Sequence, residues 1–309
     1  MIALSTLWNA TRHENGLDLV REAVELGFPA IEVNYKITER MFGEITACVA
    51  RDEIRVVSLH NFSPLAESLT KNDGSGDLYL LSSTDEKRRT EAVEQTKRTI
   101  DHALEAGAEA VVVHLGKSEE DVRQQQALEQ ELRALTASGD KNRAVTGRLR
   151  AALITMRERA KGPCLEAVVR SLDELAEYAS QHRVMLGIEN RAHFCEIPSF
   201  EEIEALLERF DASVIGYWHD TGHAQIFENL GFVPHQEYLK RYSSRLLGIH
   251  LHDSRGNHDH LAPGTGSNHF EMVARYVDPT TLKVLEVKST VSAPEIQQGL
   301  TFLRDRGIQ

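Results

Sequence analysis

The sequence predicts an α/β protein, a single (β/α)8 barrel whose eight strands run parallel and close on themselves. Short apolar runs alternate with amphipathic helical segments along the whole chain, which is the signature of repeated βα units. Eight such runs occur in strict alternation, and 309 residues lie within the range of one α/β barrel. No Gly-x-Gly-x-x-Gly turn follows the first run, so nothing marks an open dinucleotide-binding sheet.

The elements follow in order. A strand over 2–8 leads through a polar loop to a helix over 17–26, stopped by Gly27. The second strand, 30–34, precedes a helix over 39–51, and the third, 54–60, ends on His60. A polar loop rich in Gly, Ser and Asp covers 72–83, and a helix over 85–106 ends at Gly107. The fourth strand ends on His114, the fifth (185–189) on Glu189 and the sixth (214–220) on Asp220. The seventh (246–250) ends on His250 and the eighth (282–286) on Glu286, before a closing helix over 293–306.

The fourth and fifth strands are too far apart for one helix, so residues 117–163 read as an enlarged helical insertion within one 1–309 domain. It holds a Gln/Glu-rich stretch over 118–135, expected as a solvated helix; the alternatives are an oligomer arm or a lid over the barrel mouth. A basic stretch follows, with Lys141, Arg143, Arg148, Arg150, Arg157, Arg159 and Lys161, expected as exposed helix faces. A helix then starts at Pro163, suited to its first turn, and places Leu165, Val168, Val169, Leu172, Leu175, Ala176 and Ala179 on one face toward the barrel.

Bulk composition narrows the function. A net charge of −12 argues against a polyanionic nucleic-acid partner, because phosphate neutralisation supplies most of such binding. Cys48, Cys164 and Cys195 show no paired spacing, so neither a disulfide framework nor a CxxC zinc site is expected. The start, MIALSTLWNATRHENG, lacks a secretory signal, and no apolar run reaches membrane-spanning length. The expectation is a soluble cytoplasmic protein acting on a small molecule, with a homo-oligomer left open.

The chemistry lies at the strand ends, which a closed parallel barrel gathers on one rim. His60, His114, Glu189, Asp220, His250 and Glu286 end strands, and His223 follows Asp220 by one turn. The segment GIHLHDSRGNHDHLAPGTG adds His252, His258 and His260, with His250 and His252 sharing one side of their strand by alternation. Any single histidine is more often a core or surface residue, and His219, His102, His182 and His235 are read that way, with His13 and His269 as loop candidates. The set is different. Glu189 and Glu286 terminate apolar runs, where a carboxylate is costly to bury, and a divalent ion would resolve that cost. Nitrogen and oxygen donors without thiolate suit Zn²⁺, Mn²⁺, Co²⁺ or Fe²⁺.

Together, strand-end Glu189, the Asp220-Thr221-Gly222-His223 run, His250-x-His252-Asp253, Gly264-x-Gly266 and Glu286 resemble the xylose-isomerase-like TIM-barrel superfamily. That superfamily contains sugar and sugar-phosphate isomerases and epimerases, inosose dehydratases and the endonuclease IV family. In the epimerase branch the resemblance implies one metal held by Glu189, Asp220, His250 and Glu286. Glu189 and Glu286 would move a proton off and onto carbon next to a carbonyl, through an enediolate. In the nuclease branch it implies three zinc ions: His60 and His114 with Glu189, then Asp220, His250 and Glu286, then His223 and His260. There His258 stands where the family has Asp, and Asp259 lies one residue off. Between one and three ions per chain are therefore expected. Of the rim residues, Asn34, Arg191, Arg255 and Lys288 would contact substrate. Arg191 and Lys288 either clamp a phosphate or carboxylate or form salt bridges that orient the glutamates. The leading reading is a metal-dependent isomerase or epimerase of a sugar, sugar phosphate or polyol. The second is a multinuclear zinc phosphoester hydrolase of endonuclease IV type, and the third a barrel whose metal binds a ligand without catalysis.

Overall fold

The computed structural model, which describes residues 1–119, 121–138 and 143–309, turns each of the eight apolar runs into a strand. These are β1 (Ile2–Ser5), β2 (Ala30–Val33), β3 (Arg55–His60), β4 (Ala110–Val113), β5 (Met185–Glu189), β6 (Ile215–Asp220) and β7 (Leu246–Leu251). A short antiparallel hairpin, β8 (Asp253–Arg255) with β9 (His258–Leu261), follows, and β10 (Leu282–Leu285) is the eighth barrel strand. The barrel closes in the order β1-β10-β7-β6-β5-β4-β3-β2, every pair parallel. The strand ends named above therefore share one rim.

The barrel interior below that rim is packed by Ala3, Ala30, Val57, Ala110, Val112, Trp218 and Val284. Trp218 spans it because its neighbours carry no side chain there. A Cβ on Gly248 would sit 2.3 Å, and one on Gly187 2.7 Å, from the indole. The outward strand residues, such as Leu4, Ile31, Leu59, Val111, Leu186 and Ile249, pack instead under the helices.

Those helices begin with α1 (Gly16–Glu25), α2 (Glu39–Val49) and α3 (Glu86–Glu105). Asn15, Thr38 and Asp85 cap their N-termini, each side chain accepting from a backbone N–H in the first turn. Between β4 and β5 lie α4 (Val122–Ala137) and α5 (Arg143–His182). The sequence expectation of a helix starting at Pro163 is corrected here, since α5 runs through that proline. Proline costs the helix one backbone hydrogen bond and about 3 kcal/mol. The buried stripe Leu149, Leu153, Arg157, Ala160, Cys164, Val168, Leu172, Leu175 and Ala179 is continuous across it and outweighs that cost. Arg157 also departs from the exposed face expected of the basic stretch. It is buried, pairs with buried Glu202 at 2.6 Å, and donates to the Phe194 and Glu196 carbonyls. Lys141 lies outside the described residues.

The remaining helices are α6 (Phe200–Arg209), α7 (Thr221–Asn229), α8 (His235–Tyr242), α9 (Phe270–Val273) and α10 (Ala293–Asp305). α7 matters for the site, because Asp220 both ends β6 and caps α7 by accepting from the His223 N–H at 2.7 Å. Among the described residues, no helix is long and apolar enough to cross a membrane.

Candidate metal centre

The rim brings the expected donors into contact. Glu189, Asp220, His250 and Glu286 form one group and His60, His114 and Glu189 a second, the donor atoms of each lying within 4.8 Å of one another. In the first, His250 Nδ1 lies 2.9 Å from Glu189 Oε1, 3.2 Å from Glu286 Oε2 and 3.8 Å from Asp220 Oδ2. In the second, the other oxygen of Glu189 faces His114 Nε2 at 2.7 Å and His60 Nε2 at 3.6 Å. Glu189 thus belongs to both. It is the geometry of a carboxylate placed between two donor sets.

A third group comprises Asp220, His252, His260 and Glu286. Within it His252 is already committed. Its Nδ1 accepts from the His260 N–H at 2.9 Å, so its proton is on Nε2, which donates to Asp220 Oδ2 at 2.8 Å. Both nitrogens are used, and what His252 offers is orientation of Asp220. His260 Nε2 lies 3.5 Å from Glu286 Oε2. His223 sits beside them, its ring 5.8 Å from that of His260, with Nδ1 3.0 Å from the Asn190 carbonyl.

His258, expected at this third position, is outside all three groups and exposed. Alternation would have put it on the face of His260, but His260 adopts φ +53°, which breaks the two-residue period. Asp259 takes a supporting place instead, with Oδ1 3.1 Å from His260 Nδ1.

The electrostatics fit a cation. Burial alone would raise the Glu189 and Glu286 carboxyls, but His250 and its histidine neighbours outweigh it and hold Glu189 far below its usual range and Glu286 at about 2. Burial likewise disfavours charge on the imidazoles. The carboxylates override it, lifting His250 well above its ordinary value, His114 to about 9 and His260 to about 10. A pocket that pulls protons this strongly onto three imidazoles is one that stabilises positive charge. Mixed carboxylate oxygens and imidazole nitrogens, without thiolate, suit a divalent ion of the zinc, manganese, cobalt or iron type.

The expected substrate contacts divide. Arg191 is buried, and its guanidinium is held by Asp77 at 2.8 Å, Glu196 at 3.0 Å and Glu189 at 3.9 Å, the arrangement of the salt-bridge alternative rather than of an open anion clamp. Lys288 pairs with Asp259 at 3.3 Å. Arg255 is exposed on the hairpin and donates to the Thr265 carbonyl. Asn34 is buried at the end of β2, with Nδ2 unpartnered among the described residues.

Three residues escaped the sequence reading. Asp77 belongs to the polar loop between β3 and α3, which crosses the rim like a strap. A Cβ on Gly76 would fall 2.5 Å from His114 Nδ1 and 2.9 Å from His60 Cε1, so only glycine lets the strap lie this close. Tyr35, just beyond β2, sets its ring edge on His60 at 5.0 Å, and burial with the charges of Glu286 and Glu189 pushes its phenol up. Glu32 is wholly buried inside the barrel beneath the centre. A carboxylate in the apolar run AIEVN was the signal that could have found it.

Comparison with known proteins identifies the family of the fold. The family model described as xylose isomerase-like TIM barrel matches residues 20–306. No curated protein sequence matches the chain. Among solved structures, a D-tagatose 3-epimerase-like protein superposes with a TM-score of 0.68 at 18% identity, covering 99% of this chain and 96% of that one. The 3-keto-D-glucoside 4-epimerase of E. coli gives 0.68 at 16% identity, covering 98% of each chain. The IolI protein, solved with a zinc atom, gives 0.65 at 13% identity, covering 99% of this chain and 96% of that one. At these identities the likeness is one of fold.

Proposed function

We propose, for a chain that belongs to the xylose isomerase-like TIM barrel family, a divalent-metal-dependent epimerase or isomerase of a sugar or related polyol. One observation supports this above the rest. Two buried carboxylates, Glu189 and Glu286, flank His250 Nδ1 at 2.9 and 3.2 Å, with Asp220 completing the set. Glu189, Asp220, His250 and Glu286 would hold the ion, whose chemistry is to polarise a carbonyl and stabilise the negative charge that develops on its oxygen. The names of the epimerase neighbours point the same way.

In this reading the chain's own groups move the proton. Glu189 and Glu286 are both ionised at neutral pH, so either can accept a proton from carbon beside the carbonyl and the other, once protonated, can return one. His114 keeps its proton against Glu189 Oε2 and His260 against Glu286, which holds the two carboxylates in place. The strap, docked through Gly76 and pinned by Asp77 on Arg191, shields the centre from bulk water. An unphosphorylated substrate fits best, because Arg191 and Lys288 are each already paired with carboxylate.

The test is exchange of solvent deuterium into ketoses and polyol ketones, followed by NMR. Wild-type protein should label the carbon beside the carbonyl, and Glu189→Gln or Glu286→Gln should lower the rate by about 10²–10⁴ with unchanged circular dichroism. Labelling that persists in both variants refutes the reading. The hydrolase reading has one observation in its favour, the second donor set of His60, His114 and Glu189. Metal content per chain by mass spectrometry separates the two: one ion favours the epimerase, whereas two or three zinc ions with cleavage of an abasic-site duplex favour the hydrolase.

A further inference from the structure

Glu32 lies on β2, three strands around the barrel from β7, and its side chain reaches across the interior to His250. Its strand neighbours provide the floor. Ser5 on β1 and Ser58 on β3 are the register partners of Glu32, and their hydroxyls donate to Oε1 at 3.2 Å and to Oε2 at 2.7 Å. His250 Nε2 lies 3.1 Å from both oxygens. All four residues are fully buried, and among the described residues the only ion-pair partner of Glu32 is His250. A carboxylate removed from water this completely is strongly destabilising unless donors surround it. Three donors do so here, and one of them has to be an N–H on His250 Nε2.

That requirement fixes the rest of the ring. With its proton on Nε2, the imidazole turns Nδ1 toward Glu189, Glu286 and Asp220, the three carboxylates of the first donor group. We propose that Glu32 is a positioning residue for the metal centre, fixing the tautomer and plane of His250 so that Nδ1 offers its lone pair to the divalent ion. This rests on the reading that Glu189, Asp220, His250 and Glu286 hold such an ion, and it is independent of which sugar or ester is the substrate. Outer carboxylates of this kind raise the basicity of a ligating imidazole and hold its orientation. Ser5 and Ser58 act through Glu32, denying its oxygens any other position.

The test uses Co²⁺ as the probe, on the full chain stripped with chelator, and reads its visible absorption bands and its affinity by competition with a chromophoric chelator. Glu32→Gln should bind Co²⁺ about 10–100-fold more weakly than wild type, with altered bands and an unchanged circular dichroism spectrum. Glu32→Gln with wild-type affinity and bands overturns the assignment of Glu32 alone. A wild-type chain that takes up no Co²⁺ overturns it together with the metal reading beneath it. Should the variant not fold, the wild-type protein still decides. In the ¹⁵N-histidine-labelled, Zn²⁺-loaded chain, with the His250 signals identified by their loss in His250→Gln, a proton on Nε2 and metal on Nδ1 support the proposal. The opposite tautomer overturns it.

Discussion

Replacing Arg157 by methionine is expected to lower the melting temperature by about 6–15 °C. Arg157 and Glu202 are 3% and 5% exposed, so solvent screens their contact little, and they meet at 2.6 Å. Two further guanidinium bonds, at 2.8 and 2.7 Å, hold the carbonyls of Phe194 and Glu196. The methionine side chain would fill most of the volume but leave the Glu202 carboxylate buried without its counter-charge, which costs about 3–5 kcal/mol. For a chain of this size each kcal/mol moves the midpoint by roughly 2–3 °C. The cause is tested by the double variant R157M/E202Q. The amide keeps an oxygen for the Ser199 N–H that Glu202 now caps at 2.7 Å, and removes the stranded charge, so it should recover at least half of the loss. Calorimetric unfolding of the chelator-treated protein reads both numbers. A shift below about 2 °C for R157M, or a double variant no more stable than the single, would refute the argument that burial makes this pair costly to break.

Other expectations follow from the site. Burial would raise the Asp77 carboxyl, yet Arg191 and His114 hold it below its usual range, so its contribution is present above the unfolded value near 3.9 and is lost as pH falls through the folded one. Pepsin cleavage within residues 66–84 should therefore accelerate below about pH 4, and Asp77→Asn should be cut quickly without that pH dependence; a flat wild-type profile would count against the Asp77–Arg191 pair as what pins the strap. Because His250, His114 and His260 hold protons at neutral pH, Zn²⁺ loading of chelator-treated protein should release at least one proton per ion, visible with an indicator in weak buffer. Affinity should then rise by about tenfold per pH unit for each proton displaced, and loading without release would contradict the charge assignment. Inorganic phosphate added to the metal-free protein should leave the melting temperature within about 1 °C, since Arg191 is already neutralised; a rise of several degrees would show an open anion site.

The strand ends were legible because burial and chemistry pull in opposite directions there. Glu189, Asp220 and Glu286 end apolar runs, and only a cation or a set of donors makes that tolerable, so alternation and residue type suffice to find them. What could not be read was pairing across long separations. Arg191 looks like a free anion receptor until Asp77, 114 residues away, is folded onto it. Arg157 looks like one more exposed charge of a basic stretch until Glu202, 45 residues on, meets it beneath α5. Local backbone hid the rest: a periodicity argument assigns His258 and His260 to one face, and a single positive φ at His260 undoes it.

Glu32 is the instructive case, because the rule that found Glu189 and Glu286 applies to it unchanged. It stands in the middle of AIEVN rather than at a strand end, so a search for rim ligands passes over it, although the cost of burying a carboxylate is the same at either depth. The depth itself carries the meaning. A carboxylate at the rim can face a substrate or an ion directly, whereas one a layer below can act only through the residue above it. Here that residue is His250, the sole nitrogen donor of the first group, whose two ring nitrogens divide between Glu32 below and three carboxylates above. The layers of the barrel, set by the register of Ser5, Glu32 and Ser58, thus decide which nitrogen faces the centre before any ligand arrives.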